Sequence, residues 1–306
     1  MNTKDRKAMT IRKLLFFLQA AVLILTSPYV NAAAESDCSE LELEAENVLL
    51  ASLTKDLKTD EFLYESDSEE VLYPGSTIKM LTALTVLDIA DPEEKAKVGL
   101  EYFLVPSDAS KAGLKPLMKL TIRDLLKGLL LPSGSDAAYT LAAYCGRKIG
   151  EKEGMSASEA VALFVDAMND KAASIGAGHT TVVNVDGYDE EGQFTTAQDL
   201  LIMTEAFLEQ QVLSEICALA EDEMTVKIGK VKKKIPVRNT NEMLHEDSVY
   251  YNADAAGVKT GTTSLAGGCL VSAFIIQGEE YICIVMKSSR DGRYTDTQKL
   301  YDLCSG

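Results

Sequence analysis

Histidine is nearly missing from this sequence: His179 and His245 are the only two in 306 residues. A serine hydrolase built on a serine–histidine pair needs a histidine to take the hydroxyl proton. No Gly-x-Ser-x-Gly occurs either, so that class is disfavoured and both histidines read as surface or structural. There is no Cys-x-x-Cys and no His-x-x-x-His, and a zinc site is not expected. Positive charge is scarce, with 30 Lys and Arg against 47 Asp and Glu, a formal net charge of -17. Such a surface repels nucleic acid and suits a soluble extracytoplasmic protein. Past residue 25 no apolar run reaches the roughly 20 residues that span a bilayer.

The first residues read as something other than fold. Lys4, Arg6, Lys7, Arg12 and Lys13 make a basic start, and LLFFLQAAVLIL (14–25) follows, broken by Gln19. Then comes VNAAAE, with small residues at Ala32 and Ala34. This is the pattern of a secretory signal peptide cut after Ala32 or Ala34, the alternative being a retained anchor. The expected division is residues 1–34 as signal and 35–306 as one secreted or envelope domain, with no further C-terminal domain after LYDLCSG. The six cysteines are irregularly spaced. Export permits disulfides, but a hairpin centred on QGEE sets Cys283 opposite Phe274 rather than Cys269, so no bridge joins those two.

Along the mature chain, LELEAENVLLASLTKDLKTDEFLYES reads as two strands around DLKTDE, with Ser52 at the end of the first. A helical period starts at Ser76, after Pro74 and Gly75. LTIRDLLKGLLL (120–131) is a second helix with Thr121 as N-cap. SDAAYTLAAYCGRKIG, ASEAVALFVDAMNDKAASIGA and TTAQDLLIMTEAFLEQ are three more. EMTVKIGKVKKKIPV, AAGVKTGTT, GGCLVSAFIIQ and EEYICIVMKSS are strand-like, and DTQKLYDLC is a last short helix. Strands at both ends and helices between imply an α/β (α+β) fold, an antiparallel sheet drawn from both chain ends around a mostly helical insert. The basic run KIGKVKKK (227–234) is either a solvated hairpin or a patch for an anionic cell-wall polymer.

Three short motifs appear in order: Ser76-Thr77-Ile78-Lys79, Ser133-Gly134-Ser135 and Lys259-Thr260-Gly261. Each alone is weak; a second Ser-x-x-Lys, Ser52 to Lys55, shows how easily the spacing arises. Together they form a constellation. A serine hydroxyl needs a base, and residues three apart on a helix share a face, which places Lys79 beside Ser76. Burial and a neighbouring cation, for which Lys259 is the candidate, would lower the lysine pKa to make it a base. Ser133 is placed to pass a proton to a leaving amine. The backbone N–H groups of Ser76 and Thr262 are candidates for an oxyanion hole. Lys259 and Thr260 offer donors to a substrate carboxylate.

With these motifs in order, the chain resembles the serine-type D-Ala-D-Ala carboxypeptidases, the low-molecular-mass penicillin-binding proteins. The likeness extends through Met168-Asn169, Asn184 to Gly187, Thr196 to Leu200, RNTNEML (238–244) and KTGTTSLAGGCLV (259–271). It implies a β-lactamase/transpeptidase-like fold and places the nucleophile after a strand pair ending in Leu63-Tyr64, hence at Ser76 and not Ser52. It implies removal of the terminal D-Ala from peptidoglycan stem peptides through a Ser76 acyl-enzyme, and covalent inhibition by β-lactams. It implies a monomer needing no metal, cofactor or nucleic acid. Arg238 and Arg293 lie where the family keeps arginines near the substrate carboxylate, surface salt bridging being the alternative. One departure stands out: Ser135 takes the place of an asparagine, with a shorter side chain and fewer donors, which weakens contact with the substrate amide. Asp136 beside it reads as the charged first turn of a helix. Two rivals remain. A class A β-lactamase needs a glutamate after the second motif, and VDAMNDKAAS has none. A non-catalytic wall-binding protein would be argued from Ser135 and the basic run.

Overall fold

The computed structural model describes residues 41–152 and 154–305. The expected signal segment and Cys38 lie outside the described residues.

Five strands from the two ends of the chain make the main sheet: β1 (Asn47–Leu53), β2 (Thr59–Ser66), β7 (Ala255–Thr263), β8 (Gly267–Ile276) and β9 (Glu279–Ser288). They are antiparallel neighbours in the order β2-β1-β9-β8-β7. The pairing of Asn47 with Met286 and Leu53 with Glu280 joins the two chain ends, as expected. Both faces of the sheet are covered, so β1 reads as a continuous apolar run instead of an alternating one. Leu49, Ala51, Val271 and Ile284 face the helical core. Val48, Leu50, Phe274 and Cys283 face the other way, packed with Tyr294 and Leu300 of the C-terminal helix α7 (Gly292–Ser305). Alternating side-chain direction along a strand makes this division.

The β8–β9 turn differs from the expected register. It is the two-residue turn Gln277-Gly278, both at positive φ (52° and 93°), the backbone that matches the twist of a tight hairpin. Its centre is one residue earlier than QGEE suggests. Cys283 therefore faces Ser272, and Phe274 faces Tyr281. The conclusion about bridging stands for a stronger reason, since Cys269 and Cys283 lie on opposite faces of the sheet. All five described cysteines are free thiols.

Between β2 and β7 the chain forms α1 (Lys79–Ile89), β3 (Lys95–Lys97), β4 (Lys119–Thr121), α2 (Ile122–Leu130) and α3 (Ser135–Gly150). There follow α4 (Ala157–Ile175), α5 (Ala197–Leu208), α6 (Gln211–Cys217), β5 (Glu221–Ile228) and β6 (Val231–Arg238). The expected caps form. Thr121 Oγ1 accepts the Asp124 N–H at the start of α2. Gly176 closes α4 at φ 95°, a left-handed position that glycine fills at least cost. Two features go beyond the sequence reading. The short helix α6 falls in a stretch that the sequence pattern leaves unassigned. The basic hairpin β5–β6 does not join the main sheet; it pairs with β3 and β4 in a second sheet of order β3-β4-β5-β6.

Candidate active site

The first motif is set by a short 3-10 turn, Gly75–Ile78, that runs into α1. Ser76 lies in that turn and Lys79 is the first residue of α1, so the serine precedes the α-helix proper. The three-residue spacing still brings the side chains together: Lys79 Nζ donates to Ser76 Oγ at 2.8 Å. Ser76 is half-buried, whereas Lys79 is only 1% exposed. The hydroxyl is reachable and the amine is dry.

A loop that the sequence did not single out for this purpose completes the lysine's surroundings. Lys79 Nζ also donates to the Asp186 carbonyl at 2.7 Å, and Thr82 Oγ1, three residues further along α1, donates to the Val185 carbonyl at 2.7 Å. Asn184 Oδ1 accepts the Gly187 N–H at 3.0 Å and turns the loop back. Gly187 sits at φ 81° with no room for a side chain: a Cβ there would lie 1.8 Å from the Gly75 carbonyl oxygen. The loop thus presses against the nucleophile's own turn. The Asn-x-x-Gly string was the available signal, without the contact it makes.

The second motif lies where α3 begins. Ser133 adopts φ 59° and is 5% exposed, and its Oγ accepts from Lys259 Nζ at 3.0 Å. Ser135 opens α3, buried, with its N–H donating to the Ser110 carbonyl at 2.8 Å. Asp136 lies in the first turn of α3, as expected, and does more than charge that turn. It is fully buried, and its carboxylate accepts the N–H groups of Ala112 (2.7 Å), Leu114 (2.8 Å) and Ala137 (3.0 Å). It clamps the loop of residues 110–114 beside the site.

The third motif is on β7. Lys259 is 1% exposed and also donates to the Thr260 carbonyl at 2.9 Å. Thr260 Oγ1 and Thr240 Oγ1 are 2.5 Å apart; Thr240 is a neighbour the sequence reading did not assign. Gly261 allows close approach, since a Cβ there would come within 3.2 Å of the Ser76 nitrogen. A Cβ on Gly75 would come within 3.6 Å of the Thr262 nitrogen. The two backbone nitrogens considered for an oxyanion hole therefore flank the same pair of glycines.

The two arginines part company. Arg293, on α7, is 7% exposed; its guanidinium donates to the Gly261 carbonyl and Thr262 Oγ1, both at 2.9 Å. It lies 4.7 Å from the Tyr294 ring centre. It braces the end of β7, against the third motif. Arg238 does not join this cluster. It is exposed at the end of β6 and paired with Glu221, Glu242 and Asp247, the surface salt bridging weighed as the alternative. His245 is buried, with Nε2 2.7 Å from the Asn239 carbonyl oxygen, and His179 is exposed beside Asp199.

Burial pushes the Lys79 ammonium down to about 8, against the opposing pull of Asp186 and Asp136. Lys259 is held well below its ordinary value, first by burial and then by the charges of Lys79 and Arg293. The two buried ammonium groups repel each other, so a charge on either one disfavours a charge on the other.

The profile of the peptidase S11 family, D-alanyl-D-alanine carboxypeptidase, matches residues 34–290. The chain belongs to the S11 family of D-Ala-D-Ala carboxypeptidases. It is 30% identical over 270 residues to the D-alanyl-D-alanine carboxypeptidase DacF of Bacillus subtilis, covering 86% of this chain and 63% of that one. With DacC of Escherichia coli it shares 29% over 292 residues, 92% and 66% of the two chains. This S11 chain thus spans about two thirds of the length of those two relatives. With the D-alanyl-D-alanine carboxypeptidase of Streptomyces strain K15 it shares 32% over 245 residues, 78% and 80% of the two chains. The crystal structure of the Streptomyces K15 DD-transpeptidase superposes with a TM-score of 0.77 at 26% identity, over 87% of this S11 chain and 98% of that one. The β-lactamase/transpeptidase fold follows from that match.

Proposed function

We propose that the protein is a serine carboxypeptidase that removes the terminal D-Ala from peptidoglycan stem peptides. The observation that carries this reading is the Ser76–Lys79 contact at 2.8 Å, with the lysine buried behind a reachable serine. Ser76 Oγ attacks the carbonyl carbon between the two D-alanines and gives its proton to neutral Lys79. The oxygen of the tetrahedral intermediate is met by the N–H groups of Ser76 and Thr262. The proton then passes from Lys79 by way of Ser133 to the departing D-Ala nitrogen, and the C–N bond breaks. Water, deprotonated by the same lysine, cleaves the acyl-enzyme. Lys259, Thr260 and Thr262 hold the substrate carboxylate, with Gly261 and Arg293 keeping that strand end in place. A β-lactam presents the same carbonyl and carboxylate and is trapped as the Ser76 ester. Export by the N-terminal segment and action outside the cytoplasm belong to this reading; among the described residues no helix is long and apolar enough to cross a membrane.

The reading is tested by D-alanine release from a peptide ending in D-Ala-D-Ala. Steady release, with stoichiometric labelling by a fluorescent penicillin, is the expected result. Labelling without release would instead favour a weakly catalytic penicillin-binding protein. Ser135 is the observation in favour of that second reading, and Ser135→Asn would then raise turnover.

The lysine's position also fixes a pH dependence. Lys79 acts as base only when neutral, and its folded value is lowered to about 8. The second-order acylation rate is expected to rise about tenfold per pH unit below that value and to level off above it. In Asp136→Asn one of the two carboxylates that favour the Lys79 ammonium is gone, so the rising limb moves to lower pH. Penicillin acylation followed by stopped flow across pH 6 to 10 checks both; an unmoved limb in the variant would separate Asp136 from the lysine's electrostatics.

A further inference from the structure

The second sheet carries a row of like charges that the catalytic reading leaves unused. In β3, β4, β5 and β6, Lys97 lies opposite Lys119, Lys119 opposite Lys227, and Lys227 opposite Lys232. Four lysines stand side by side across the whole width of the sheet. At the usual strand spacing the row is about 14 Å long. The other face of the same strands is apolar and buried at Ala96, Leu120, Met224 and Val226. Alternation therefore turns the lysines outward, and all four are exposed. Lys95 shares their face. None of these five makes an ion pair or side-chain hydrogen bond among the described residues.

Like charges placed directly opposite each other destabilise a sheet, and a chain of net charge -17 has no shortage of acids to interleave. Acids do appear on this face, but only at the far end of the hairpin. There Glu221 pairs with Arg238 and Glu223 with Lys234. The lysine row near the β5–β6 turn is left uncompensated. From Lys232 to Arg238, where β6 leads toward Thr240 and the site, the strand runs about 20 Å.

We propose that this face is a docking surface for a linear phosphate-bearing polymer, whose regularly spaced charges match a row of ammonium groups. The row is narrow and straight. Thr121 and Thr225 are its neighbours within the strands; Leu117, Ile228 and Val231 are exposed at its margin, short of the continuous apolar face that inserts into a lipid surface. That length of β6 separates Lys232 from the Thr240 end of the hairpin, so a polymer on the row can hold the enzyme without filling the catalytic cleft.

The test uses the protein with long-chain inorganic polyphosphate as probe, and vesicles of phosphatidylglycerol in parallel. Two variants alter the net charge equally: K119Q/K227Q in the row and K55Q/K152Q elsewhere. Polyphosphate affinity is expected to fall at least tenfold in the row variant and to stay within about twofold in the other. It is expected to weaken steeply in the native protein as salt is raised past about 0.15 M, where exposed charges are screened. Penicillin labelling of Ser76 should be unchanged in both, which shows that both are folded. Equal affinities in the two variants would overturn the proposal. So would binding to vesicles with none to polyphosphate.

Discussion

Ser76→Ala is expected to abolish penicillin labelling and to lower D-alanine release by at least four orders of magnitude. The alternative nucleophile in the sequence, Ser52, lies on β1 with Tyr281 and Glu61 as its strand partners. Lys55 follows it beyond the end of that strand, so no helical turn brings the two together. Loss of a catalytic serine typically removes most of the rate advantage of the whole catalytic unit. Because Lys79 would keep its contact with the Asp186 carbonyl, the variant should fold and melt close to the native protein. The measurement is gel labelling with fluorescent penicillin beside a D-alanine assay. Retention of more than about 1% of the native labelling rate in Ser76→Ala would place the nucleophile elsewhere.

The second large effect is a divergence between activity and stability. Lys79→Met should reduce acylation by about a thousandfold or more, since general-base catalysis of this kind contributes on the order of 10² to 10⁴ and the serine would lose the amine that is hydrogen-bonded to it. Stability should move the other way or stay level. The native ammonium is fully buried and its pKa is lowered chiefly by that burial, which means that below pH 8 the folded state carries a penalty the unfolded chain does not. The penalty is complete below about 8 and fades as pH rises toward the unfolded value of about 10.4. Methionine has similar length without the charge, and replacing buried charge by apolar volume is often neutral or stabilising. The Asp186 carbonyl loses one partner, which limits the gain. Thermal melts of the two proteins should therefore differ more at pH 7 than at pH 10. A variant that melts far lower at both would show that the lysine serves the fold rather than the chemistry.

Much of this arrangement could be read from the chain, and the reasons are local. Thr121 and Gly176 announced helix ends by chemistry that needs no tertiary partner. β1, β8 and β9 were legible because they are apolar runs between turn residues. The Ser76–Lys79 contact was legible because a three-residue spacing on a helical turn survives folding. What the sequence concealed is what depends on partners far along the chain. Asp136 looked like an ordinary helix-end acid, and only the loop at Ala112 and Leu114 makes it a buried clamp. The lysine's second acceptor is a backbone carbonyl, at Asp186, and a carbonyl has no letter in the sequence. Arg238 and Arg293 were indistinguishable as letters; one meets three surface carboxylates and the other a strand end. The second sheet was missed because β3 and β4 are three residues each, too short to show a period, and the lysine row exists only in their register with the hairpin.

The buried cysteines have a consequence for how the molecule can be watched. Cys145, Cys217, Cys269 and Cys283 are all wholly buried, and burial raises each thiol above its ordinary value. The thiolate is the reacting form, so each sulfur is shielded twice, by access and by protonation. An alkylating reagent can reach them only when the surrounding segment opens. The positions sample separate regions: Cys145 the helical insert, Cys217 the end of α6, Cys269 the strand beneath Arg293, and Cys283 the face under α7. The native chain thus carries its own clocks for local opening, one in each region, with no cysteine to be introduced.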